Sequence, residues 1–86
     1  MNTKTKLPKW FKGQLYDEGD TVKNPFSGEE YKLNNVELSM YDFIIGSQMV
    51  FEMAPHTVTS EKVKDFQKGL DWFRQHNATA YMTLLD

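Results

Sequence analysis

Glu52 and His56 stand four residues apart near the middle of the chain. On a continuous helix that spacing puts both side chains on one face, as a pair of metal ligands. Ala54-Pro55 falls between them, however, and proline removes a helical donor while pushing the residue before it out of the α region. No third ligand accompanies the pair, so no metal is expected. His76 follows Arg74 where a helical pattern ends, and a cation there complements the helix dipole, so it reads as a cap. Ser39, Ser47 and Ser60 lack a glycine elbow and an evident histidine partner. Gly13, Gly19 and Gly28 fall in turns, not in a loop that opens a helix for phosphate. Asp17, Glu18 and Asp20 lack the long loop and closing glutamate of a calcium site and read as a solvated turn. Tyr41 and Asp42 are ordinary residues for a half-exposed helix flank. The absence of cysteine excludes thiol catalysis, disulfides and thiolate zinc sites. A non-enzymatic protein without cofactor or metal is the expectation.

Binding chemistry is better represented. Pro8-Lys9-Trp10-Phe11-Lys12-Gly13 sets two aromatics between lysines. Bases stack on such rings while the ammonium groups take the backbone, which makes Lys9, Trp10, Phe11 and Lys12 a candidate site for single-stranded nucleic acid. The structural reading folds Trp10 and Phe11 back onto the core with the lysines in water, as suits a domain with a modest core. Charge favours the second. The net charge is −2, but residues 1–14 hold four lysines and no acid, whereas residues 15–86 hold six basic and twelve acidic residues, a balance of −6. An acidic body does not adhere broadly to phosphates.

The elements that position these residues follow from punctuation and period. A chain of 86 residues has room for one core. Residues 1–9 read as a flexible basic arm. Residues 14–33 read as a β-hairpin region. Tyr16 ends an extended piece, and Gly19 supplies positive φ to the turn at Asp17–Asp20. Thr21-Val22-Lys23 and Glu30-Tyr31-Lys32-Leu33 flank Asn24-Pro25-Phe26-Ser27-Gly28, where Asn-Pro opens a turn and Gly28 closes it. Val22, Tyr31 and Leu33 face the helices. Residues 34–54 form a long central helix, with Asn34 and Glu37 at the spacing of a capping box and Pro55 as the stop.

This helix is apolar on two sides. Val36, Met40, Phe43, Ser47, Val50 and Ala54 fall on one stripe with Ile44 and Phe51 beside it; Leu38, Ile45 and Met49 fall opposite. Gly46-Ser47 suits close approach of another helix. Thr59 or Ser60 caps a second helix over 59–76, with Val63, Phe66, Leu70 and Phe73 inward and Trp72 alone on a charged face. Asn77 ends it and caps a terminal helix over 78–85, whose stripe is Ala78, Tyr81, Met82 and Leu85. The fold class expected is α+β and mostly helical: a short β-hairpin or three-stranded meander packed on a long central helix, followed by two shorter helices.

Trp10-Phe11-Lys12-Gly13, Asn24-Pro25-Phe26-Ser27-Gly28-Glu29 and Glu37-Leu38-Ser39-Met40-Tyr41-Asp42-Phe43-Ile44 together carry a family likeness. So do Lys68-Gly69-Leu70-Asp71-Trp72-Phe73-Arg74 and the stretch from Tyr81 to Asp86. With them the chain resembles a family of small uncharacterised proteins of marine bacteriophages, cyanophage-like proteins especially. The likeness covers nearly all of the chain after residues 1–9. It implies a phage product made inside a bacterial cell, an accessory protein or a minor virion component, and carries no activity or site residue with it.

The function expected from the residues is protein–protein interaction. Leu38, Ile45, Met49 and Trp72 are the candidate contacts; the second face of the central helix either joins two copies into a homodimer or is covered within one chain by the hairpin and the later helices, and a host or phage protein is the further partner. Single-stranded nucleic-acid binding at Lys9–Lys12 is the alternative. No apolar run approaches the ~20 residues of a membrane span, and no secretory apolar core is present, so host cytoplasm or the virion is the expected location.

Overall fold

Asn24 shows how the sequence bends the chain. Its side-chain oxygen accepts from the backbone N–H groups of Phe26 at 2.8 Å and Ser27 at 3.3 Å, which closes the turn locally. Gly28 then takes φ +80°, where a Cβ is disfavoured, and delivers the chain to the second strand. Asn24 Nδ2 donates to the carbonyl of Thr83 at 3.0 Å, so the same residue ties the turn to the far end of the chain.

The computed structural model describes residues 7–85. Strands β1 (Asp20–Lys23) and β2 (Glu30–Leu33) pair antiparallel, with Val22 opposite Tyr31 and Asp20 opposite Leu33. Helix α1 (Asn35–Met53) follows, then a 3-10 turn (Pro55–Thr57), α2 (Ser60–His76) and α3 (Ala78–Leu84). The class is α+β and mostly helical. The two aromatic pairs Tyr41–Phe73 and Phe51–Phe66, with ring centroids 6.3 and 5.3 Å apart, mark α1 and α2 as an antiparallel pair. Leu33, Met40, Ile44, Phe73, Ala80 and Leu84 form the buried core, one or two residues from each of β2, α1, α2 and α3.

Each helix starts at a residue whose side chain replaces a missing backbone partner. Asn34 accepts from the N–H of Glu37 at 2.8 Å while Glu37 Oε1 accepts from the N–H of Asn34 at 3.0 Å, a complete capping box. Thr59 caps α2 through the N–H of Lys62, and Asn77 caps α3 through the N–H of Ala80 at 3.1 Å. His76 Nδ1 lies 2.9 Å from the carbonyl oxygen of Trp72, as expected of a cap on the last turn of α2.

Of the two expected arrangements the hairpin forms: among the described residues there are two strands and no third, because Tyr16 spends its backbone on α1. Its N–H donates to Ser39 Oγ at 2.9 Å and its carbonyl accepts from Asn35 Nδ2 at 3.2 Å, which leaves nothing for a ladder. Other expectations need correction. Gly19 does not take positive φ; a Cβ there would stand 2.0 Å from the carbonyl oxygen of Leu33, so close approach to the backbone is what demands glycine. The close helix contact comes at Gly69 of α2, where a Cβ would meet Met40, Ile44 and Phe43 at 3.3–3.4 Å, whereas Gly46 has nothing within 4 Å. Of the arm, residues 1–6 lie outside the described residues, but Leu7 packs against the core.

The tightest junction is polar. Glu37 is 9% exposed, and its second carboxylate oxygen accepts from Asn77 Nδ2 at 3.0 Å. Asn77 Oδ1 accepts from Ala80 and, at 3.3 Å, from the hydroxyl of Tyr31. One amide thus links the hairpin, α1 and the start of α3. We expect Asn77→Ala to lower unfolding free energy in urea by about 2–3 kcal/mol, since a cap is lost and a buried carboxylate loses a donor. Asn77→Asp keeps the cap but sets two carboxylates together. Its deficit is therefore greatest at neutral pH and shrinks on acidification, as the pair takes up a proton.

Candidate functional site

Asp42, Gly46, Met49, Val50 and Met53 recur at helical spacing along one side of α1, turned away from Met40 and Ile44. Asn35, Leu38 and Ser39 continue the same side toward the N-terminus. The two halves of this stripe differ. The first is mostly polar and partly covered: besides the Tyr16 backbone bonds to Asn35 and Ser39, the Tyr16 hydroxyl donates to Asp42 Oδ2 at 2.9 Å. Ser39 is buried under this strap, and its hydroxyl donates to the carbonyl of Asn35 at 2.7 Å. The second half is apolar and open. Met49 is 54% exposed, Val50 42% and Met53 78%.

Beside the open half runs a cleft of about 740 Å³ between α1 and the start of α2. Phe43, Gly46, Val50 and Phe51 give it an apolar floor. Charges of both signs stand around it, Lys12 and Lys62 with Asp42, Glu61 and Asp65. Lys12 Nζ meets Glu61 Oε2 at 3.0 Å, and this contact raises the Lys12 ammonium and lowers the Glu61 carboxyl from their ordinary values. Both groups are exposed, so the pair contributes little to stability.

The residues expected to make contacts separate. Leu38 is half-buried and packs against the core beside Tyr16, Ile45 is half-buried, and Met49 stands out in solvent. Trp72 lies at the opposite end of the α1–α2 pair, stacked on His76 with centroids 4.1 Å apart and tilted against Phe73 at 6.5 Å. It does not join the other three. Val50, assigned to the core stripe, is exposed: it stands about 100° around α1 from Phe51, the residue that meets Phe66, and so falls at the edge of the side that α2 covers. Met53 joins this side through the spacing 42, 46, 49, 53, a signal present in the sequence that a count of two opposite faces passes over.

The basic aromatic segment is folded in. Trp10 and Phe11 pack on Phe43 with centroids 6.1 and 5.5 Å away, and Lys68 stands 5.9 Å over the Trp10 ring. Lys12 is engaged by Glu61, while Lys9 is exposed. The stacking faces that a single strand needs are therefore partly used within the chain. Glu52 belongs to α1 and His56 to the 3-10 turn, which divides the pair as Pro55 requires. Among the described residues no group of three or more metal-ligating side chains comes together. No helix among them is long and apolar enough to cross a membrane.

No family model matches this chain, and no curated protein or solved structure matches it.

The strap carries its own spectroscopic marker. Its hydrogen bond to Asp42 holds the Tyr16 phenol above the ordinary 10.0, and burial does the same for Tyr41. A raised tyrosine pKa stabilises the fold fully below pH 10.0 and loses that contribution as pH climbs through the folded value. In ultraviolet titration, Asp42→Ala should bring one of the late-titrating tyrosines back toward its ordinary range and leave the other in place. An unchanged titration curve would mean that Tyr16 does not bond Asp42 in solution.

Proposed function

We propose that this chain is a non-enzymatic interaction protein that associates with a second copy of itself through the C-terminal half of α1. The observation that carries this reading is the open run of Met49, Val50 and Met53 beside an apolar cleft. Scattered exposed apolar residues are normal, but a contiguous patch next to a groove is where partners bind. The strap already covers the first half of the stripe within the chain, and a second chain covers the remainder. Twofold pairing is the default symmetry for such a contact. The likeness to marine phage proteins adds context, an accessory protein working in the host cytoplasm or carried as a minor virion part, with a host or phage protein as a further partner of the assembled form.

Light scattering across a wide concentration range tests this directly. The mass should rise from 10.1 kDa toward twice that value. Met49→Glu should weaken association by more than about tenfold, roughly 1.4 kcal/mol, with an unchanged melting curve. Phe26→Ser, at the 97% exposed tip of the hairpin, should associate normally. A wild-type mass that stays at one chain throughout would remove the reading.

A further inference from the structure

We infer that the cleft between α1 and α2 is a binding site for a small organic cation, an amine joined to a hydrocarbon body, with Asp65 as its anchor. The cleft volume of about 740 Å³ falls in the range of roughly 300–1,000 Å³ that small-molecule sites occupy. Three segments enclose it. The α1 helix supplies the apolar floor and α2 the charged wall, while the Trp10–Lys12 segment bridges the two, with Phe11 on Phe43 and Lys12 on Glu61. This closure suits a compact molecule better than an extended peptide, which needs a groove open at both ends. Met49 and Met53, the outward residues of α1, line no part of the cleft, so occupancy does not depend on self-association.

The charges decide what enters. Around the apolar floor stand three carboxylates against two ammonium groups, and all but one of these are engaged within the chain. Lys12 and Glu61 hold each other at 3.0 Å. Lys62 Nζ donates to the Thr57 carbonyl at 3.2 Å, and Asp42 accepts from the Tyr16 hydroxyl at 2.9 Å. Asp65 is the remaining one. It is half-buried, yet among the described residues no group donates to it and neither ion pair includes it. A carboxylate partly withdrawn from water and left without a donor gains from a cation brought beside it, and a charge-assisted hydrogen bond is the strong kind. An anion would have to displace Glu61 from Lys12 or the carbonyl from Lys62, so the uncommitted charge selects a cation. The hydrocarbon body of the ligand then covers Phe43, Val50 and Phe51, which no other part of the chain covers from this side.

Three probes that share one ring and differ in charge test this: naphthylethylamine, naphthylethanol and naphthaleneacetate, each titrated into the full chain and followed by nuclear magnetic resonance. The amine should produce saturable shifts at the amides of Gly46, Ser47, Phe51 and Asp65. It should bind at least about tenfold more tightly than the alcohol or the acid. Asp65→Asn should melt like the parent and bind amine and alcohol equally. Asp71→Asn removes a carboxylate that is paired with Arg74 and lies outside the cleft, and it should keep the preference for the amine. Equal binding of the three probes to the parent, or tighter binding of the acid, would overturn the cation as the ligand. Shifts that do not saturate, or that centre away from the cleft, would overturn the site. A preference for the amine that survives Asp65→Asn would overturn the anchor.

Discussion

The carboxylate of Glu37 is the constraint on which the rest of the structure depends. A buried charge is tolerated only when donors replace the water it has lost. Glu37 has two, the Asn34 N–H that begins α1 and the Asn77 amide that begins α3. Meeting this need brings together residues forty positions apart and fixes the angle at which the late helices return. Tyr31 adds the hairpin to the same junction. Around it the apolar core closes with Leu33, Met40, Phe73 and Leu84, and among the described residues no buried side-chain polar atom lacks a partner. Position is set by the polar junction, and the burial around it supplies the stabilising free energy.

That junction lies at one end of α1, with consequences for the other. Near Glu37 the helix is held by β2, the strap and α2, and through Asn77 it is tied to the start of α3. Beyond Ile44 it is held by α2 and the following turn, with Phe51 on Phe66 as the last aromatic contact. The outward side of this distal half carries Gly46, Met49, Val50 and Met53. Helical glycine in an exposed site costs about 1 kcal/mol relative to alanine, and nothing in the chain itself requires it here. The strap and the open patch divide one stripe: polar residues are met from within the chain, and the apolar residues Met49, Val50 and Met53 are left exposed.

Much of the fold was legible because local chemistry wrote it. Asn34 with Glu37, Pro55, Thr59 and Asn77 mark helix ends by satisfying or denying backbone bonds, and those signals are nearly independent of tertiary context. Asn24 and Gly28 did the same for the hairpin turn. What escaped was anything decided by a distant neighbour. Gly19 and Gly69 owe their identity to Leu33 and to Met40 with Ile44, and neither neighbour is visible from local sequence. Tyr16 read as strand, since an extended residue bonded to side chains looks the same in sequence as one bonded to a sheet. Val50 read as core because it lies at the edge of the apolar stripe, and periodicity does not tell how wide a strip of the helix its neighbours cover.

The central claim is that α1 has a proximal half anchored within the chain and a distal half completed by another copy. Amide hydrogen exchange, followed residue by residue as protein concentration is raised, tests both parts together. The account predicts that amides from Glu37 to Ile44 exchange slowly and at a rate independent of concentration, while those from Met49 to Met53 start faster and slow markedly as concentration rises. Uniform exchange along α1 with no concentration dependence would contradict it, as would protection gained at the hairpin or α3 instead.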